Sequence, residues 1–131
     1  RLERQAIFSR KPAPPMMHFI LEEVILRRPI GGREVLRGQL RHLREVAQLP
    51  FVGLQIIPTA RVTHAALNGP MVLLDTEDHD QLAYLEGQDV GFLQDDPGEV
   101  HRLHLKYGML RSQALSMEDS MGLLDDLLGE T

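Results

Sequence analysis

Glu23, Gln55, His64 and Glu86 are the side chains of this sequence best suited to act together. Glu23 and Glu86 end apolar runs, Gln55 interrupts one, and His64 sits in the connection Thr59–Asn68 beside another. Polar groups beside a core must be satisfied by one another, by backbone or by a ligand. Two carboxylates, an amide and an imidazole around one cavity would make a ligand pocket. An enzyme would also need a nucleophile or activated water within reach of a base, and no spacing in the chain guarantees that. A structural hydrogen-bond network is the plainer account of the same four residues.

Other constellations are weaker. His101 and His104 lie three apart on an expected helix, but no HExxH or clustered spacing supplies further ligands, so no metal site is expected. Asp75, Glu77, Asp78, His79 and Asp80 crowd a hairpin loop without the glycine and spaced ligands of an EF-hand. The Arg37, Arg41 and Arg44 stripe, with Arg27, Arg28 and Arg33 nearby, could touch phosphates or an acidic partner, although a surface helix needs such a face in any case. No serine has a G-x-S-x-G context, and neither Gly31-Gly32 nor Gly87 and Gly91 belongs to a phosphate loop. No catalytic residue and no cofactor is expected.

The elements that would position these residues follow from hydrophobic period and turn residues. Phe51–Ile57, Met71–Leu74 and Leu82–Glu86 read as a three-stranded antiparallel unit, the second run apolar on both faces and hence central and covered. Met17–Leu21 adds a first strand, Glu22–Leu26 either continues it or turns into a short helix, and Val90–Gln94 fits an edge strand. Leu36, Leu40, Leu43 and Ala47 mark a helix over Arg33–Gln48. Asp96-Pro97-Gly98-Glu99 opens another, whose stripe is Val100, Leu103, Tyr107, Leu110 and Ala114. Ser116 caps a last one with Met117, Met121, Leu124 and Leu128 on one side, either core or a surface for a second copy or a companion protein. The expected fold is α+β, a mostly antiparallel sheet of four to five strands covered by helices.

With 131 residues, the chain reads as one domain, 1–131, able to bury roughly two-thirds of its unfolded surface. The absence of cysteine excludes disulfides and thiolate chemistry and fits a reducing cytoplasm. No apolar run approaches the roughly 18 residues of a membrane span. The net charge of −5 argues against a nucleic-acid surface. Arg1–Arg10 reads as the tail of a helix that began earlier, so the sequence is expected to be a piece of a longer protein.

Glu23-Val24-Ile25-Leu26-Arg27-Arg28-Pro29-Ile30-Gly31-Gly32 is followed by Arg37-Gly38-Gln39-Leu40, Gln55-Ile56-Ile57-Pro58, Tyr84-Leu85-Glu86 and Gln113-Ala114-Leu115-Ser116. As an ensemble these stretches resemble the C-terminal domain of unknown function of actinobacterial regulators that begin with a Cro/lambda-repressor-type (XRE-class) helix-turn-helix. Val62 stands where that pattern has glycine, and Met71 where it has phenylalanine. The resemblance implies a cytoplasmic transcription regulator whose DNA contacts belong to an upstream domain. The expected partners are a small-molecule effector or a small companion protein, with homodimerisation a further option. A small-molecule-modifying enzyme with a Glu/His pocket and a purely structural dimerisation module are the alternatives.

Overall fold

The computed structural model describes residues 3–61, 69–86 and 90–130. Chain contacts group the protein into two compact units, one of Arg1–Thr59 with Ala114–Thr131 and one of Ala60–Gln113.

In the first unit a 3-10 segment, Glu3–Ser9, is stopped by the prolines that follow. Strand β1 covers Met17–Glu22, and its end turns directly into the short helix α1, Glu23–Arg27. Helix α2, Arg33–Val46, then carries the chain back so that β2, Val52–Ile57, runs parallel to β1 with Met17 opposite Val52 and Leu21 opposite Ile56. A parallel pair needs such a crossover, which the two helices supply. Leu40 of α2 and Leu54 and Ile56 of β2 share a core with Leu26, Leu124 and Leu127. The last two belong to α4, Met117–Glu130, which returns from the other end of the sequence. On the opposite side of β2, Gly53 leaves room for its neighbours: a Cβ there would stand 2.8 Å from His18 Cδ2 and 3.2 Å from Met117 Sδ.

The free edge of β2 is closed by the chain entering α4. Ile56 N–H donates to Ser120 Oγ at 2.9 Å, and Leu115 N–H donates to the Ile56 carbonyl at 2.9 Å. Both backbone groups of Ile56 on that edge are therefore satisfied, which blunts an edge otherwise open to strand addition. Ser116 caps α4 as expected, its Oγ accepting from Asp119 N–H at 3.0 Å.

The second unit is an antiparallel meander, β3 Met71–Asp75, β4 Gln81–Glu86 and β5 Gly91–Gln94, followed by α3, Pro97–Gln113. Strand β4 is central, with Val72 opposite Tyr84 and Tyr84 opposite Leu93. Val100 and Leu103 of α3 bury Ala83, with Met71, Leu73 and Leu85 packed around them. Asp96 accepts from Glu99 N–H at 3.1 Å, so this helix begins at the cap its sequence announces.

Two expectations are corrected. The five strands among the described residues do not form one mostly antiparallel sheet; they form a parallel pair and a separate antiparallel three-stranded sheet. Phe51–Ile57 therefore does not join Met71–Leu74, because β1 and the α4 entry occupy both of its edges. Met71–Leu74 is also an edge strand rather than the covered centre, and its apolarity on both faces reflects an open apolar face instead of a second layer.

Candidate functional site

Glu23 is the most constrained of the four polar residues. It starts α1, is buried, and accepts from Thr59 N–H at 2.9 Å and from Arg27 Nε at 2.6 Å. The Thr59 backbone hydrogen bond first, and Arg27 second, hold its carboxyl below the usual range, while burial opposes them. Arg27 in turn reaches Glu130 at 3.1 Å, tying α1 to the end of α4. Gln55 donates to the Leu115 carbonyl at 2.9 Å and so joins the closure of the β2 edge. Glu86 ends β4 in the second unit, exposed and opposite Gly91. His64 lies outside the described residues.

The remaining candidates fall mostly into structural positions. Leu124 of the expected association stripe is buried, with Met121 and Leu128 packed against the same core, and Met117 is exposed apart from its approach to Gly53. Arg44 pairs with Asp125 at 2.9 Å and ties α2 to α4. Among the described residues, no three His, Asp or Glu side chains converge as a metal site. The acidic hairpin is a tight loop in which Asp80 N–H donates to Thr76 Oγ1 at 3.1 Å and His79 takes a positive φ of 66°.

What spacing did not indicate is a groove of about 450 Å3 within the first unit. The 3-10 segment forms one wall with Gln5 and Phe8, and Phe8 is held by Phe51, ring centroids 6.4 Å apart. Phe19 and Leu21 of β1 and Val52 and Leu54 of β2 form the floor. Helix α2 closes the other side with Leu43 and Val46, followed by Ala47 at its C-terminal end, and adds Gln39 and His42. Among the described residues no Asp, Glu, Lys or Arg lines it. The volume lies within the range of small-molecule sites, about 300–1,000 Å3, and an apolar lining with a few polar groups is their usual composition. Neither Glu23, Gln55 nor Glu86 lines this groove. It could not be read from the sequence because its walls are three segments brought together only by the crossover of α2 and the packing of Phe8 on Phe51.

A second hollow, of about 500 Å3, lies in the other unit beside the β3–β4 hairpin. It is lined by the polar residues Thr76, His79, Asp80, Gln81 and Asp95 together with Leu82, Pro97 and Val100, and among the described residues it holds no convergent set of ligands.

Fold and groove together define an α+β domain with a partly apolar groove of small-molecule size. The chain belongs to a family described as a domain of unknown function, DUF5753, whose model matches residues 1–126. Comparisons with curated proteins and with solved structures gave no match.

Proposed function

We propose that this chain is the signal-receiving domain of a cytoplasmic, actinobacterial transcription regulator of the Cro/lambda-repressor (XRE) type, with DNA contacted through a separate helix-turn-helix domain. Its effector is an uncharged, largely apolar small molecule bound between the 3-10 segment, α2 and the parallel pair. The groove carries this reading: about 450 Å3, walled largely by phenylalanine and aliphatic side chains, with polar groups from Gln5, Gln39 and His42 and, among the described residues, no Asp, Glu, Lys or Arg. A charged ligand would lose hydration there and meet no Asp, Glu, Lys or Arg among the described lining residues. The 3-10 wall is the part of the site nearest the N-terminus, so filling the groove would act on the segment leading toward the DNA-binding domain. A receptor is favoured over an enzyme because Glu23, the buried carboxylate, has both oxygens occupied by donors and is held low, which makes it a poor base.

The test is titration with the neutral dye N-phenylnaphthylamine, whose fluorescence rises in apolar sites, beside the anionic anilinonaphthalene sulfonate. Saturable binding of the neutral dye is expected, weakened about tenfold or more by Val46→Trp, which fills the groove. If wild type and a folded Val46→Trp bind the neutral dye alike, the groove is not the receiving site.

A further inference from the structure

The sheet of the second unit has one covered and one open face, and the register identifies both. Met71, Leu73, Ala83 and Leu85 face α3 and its core. Alternation places Val72, Leu74, Leu82, Tyr84 and Leu93 on the other side, where Val72 pairs with Tyr84, Tyr84 with Leu93, and Leu74 with Leu82. Val72 is 59 % exposed, Leu74 52 %, Leu93 62 % and Tyr84 40 %. The Tyr84 ring is laid flat toward Gly91, where a Cβ would collide with its hydroxyl and ring. Glycine there leaves the room that the aromatic side chain occupies. Antiparallel sheets with one open side usually alternate apolar-in with polar-out. Here both sides are apolar.

Charge identifies the occupant. Residues 71–99 contain nine Asp and Glu and no Lys or Arg. Across Ala60–Gln113 the nine acids face four basic residues, a net −5 equal to that of the whole chain, while the remainder carries ten of each sign. The register gathers the acids. Asp75, Glu77, Asp78 and Asp80 lie at the β3–β4 hairpin, and because Gln94 pairs with Ala83, Asp95 and Asp96 extend toward the same end; all six are exposed. Glu86 marks the opposite end of the face. Three strands about 4.8 Å apart make a surface about 10 Å across, the width of one α-helix.

We propose that the open face of the β3–β4–β5 sheet docks a basic amphipathic helix of a partner protein, its apolar stripe on Val72, Leu74, Tyr84 and Leu93 and its Lys or Arg residues on the acidic hairpin end. Anionic membranes and nucleic acid are disfavoured by the same charge. The surface belongs to the second unit and does not rest on the effector reading, since it shares no residue with the groove.

The probe is a fluorescein-labelled synthetic peptide with Leu and Lys at helical spacing, compared with one carrying Glu in place of Lys, read by fluorescence anisotropy with the whole chain. The Leu/Lys peptide is expected to bind and the Leu/Glu peptide is not. Binding should weaken about tenfold or more in Val72→Ser/Leu93→Ser, and should fall as salt is raised to about 0.3 M. Glu77→Gln/Asp78→Asn/Asp95→Asn should weaken binding and flatten its salt dependence. Should the apolar variant lose the wild-type circular dichroism, the charge variant decides alone. Equal binding of the two peptides overturns the proposal, as does unchanged binding by the folded variants. Sedimentation of the protein with phosphatidylserine vesicles would reassign the face to a membrane. A dimer by light scattering that Val72→Ser/Leu93→Ser converts to monomer would reassign it to a second copy.

Discussion

Replacing Glu23 with glutamine changes one charge and almost no volume, so its effect can be worked out contact by contact. In the wild type one oxygen accepts from Thr59 N–H at 2.9 Å and the other from Arg27 Nε at 2.6 Å. Glutamine keeps a carbonyl oxygen for Thr59, but the bond becomes neutral, and hydrogen bonds to ionised groups are roughly twice as strong as neutral ones, a loss of about 1 kcal/mol. Its amide nitrogen then opposes the Arg27 donor and removes an i,i+4 ion pair worth about 0.3–0.5 kcal/mol at a site where Arg27 is nearly half exposed. The expected total is about 1.5 kcal/mol at neutral pH, or roughly 6 °C in Tm for a chain of this size. The pH dependence is the sharper test. The Glu23 carboxyl is held below its ordinary 4.5 in the folded state, chiefly by the Thr59 backbone bond and then by Arg27. A depressed carboxylate contributes stability that is fully present above its unfolded value and is lost as pH falls through the folded one. The gap between wild type and Glu23→Gln should therefore hold from about pH 7 to about pH 5 and close at more acid pH. Only this carboxyl differs between the two proteins, so the difference isolates it. Urea unfolding followed by circular dichroism at each pH measures it. A gap that stays constant down to about pH 3.5, or none at neutral pH, would refute the assignment of Glu23 as an ionised anchor of α1.

Leu124→Ala should cost about 2.5–5 kcal/mol in the same measurement, because Leu124 is fully buried with Leu40 and Ile56; a loss below about 1 kcal/mol would place it outside the core. Ser120→Ala should cost about 1–3 kcal/mol and speed amide exchange at Ile56, whose N–H loses its acceptor on the closed β2 edge. Unchanged protection at Ile56 would count against that closure. The chain by itself should show no sequence-specific gel shift with duplex DNA at physiological salt, given its net charge of −5, and sub-micromolar specific binding would contradict the proposed division of labour.

The sequence by itself determined what short-range physics controls. Asp96 and Ser116 sit at helix starts because their side-chain oxygens meet N–H groups three residues on. The period of Leu36, Leu40 and Leu43 marks the apolar side of α2, and the alternating runs Phe51–Ile57 and Leu82–Glu86 became strands because alternation is a property of a few neighbouring residues. Tertiary structure decided which strand pairs with which. Phe51–Ile57 reads equally well as a partner of Met71–Leu74 or of Met17–Glu22, since its own residues satisfy either register. The choice came from α2 carrying the chain back parallel to β1 and from Leu115 and Ser120, 59 and 64 positions beyond Ile56, occupying the other edge. The same long-range closure turned Glu23 and Gln55, legible only as polar residues beside a core, into partners of Thr59 and Leu115. The α2 crossover and the packing of Phe8 on Phe51 built the groove from Phe8, Phe19 and Val46, three apolar residues with no local pattern in common. Apolarity on both faces of Met71–Leu74 was visible in the sequence, but whether a second layer covers it depends on where α3 packs. Helix α3 packs on one side only, which leaves Val72 and Leu74 facing outward.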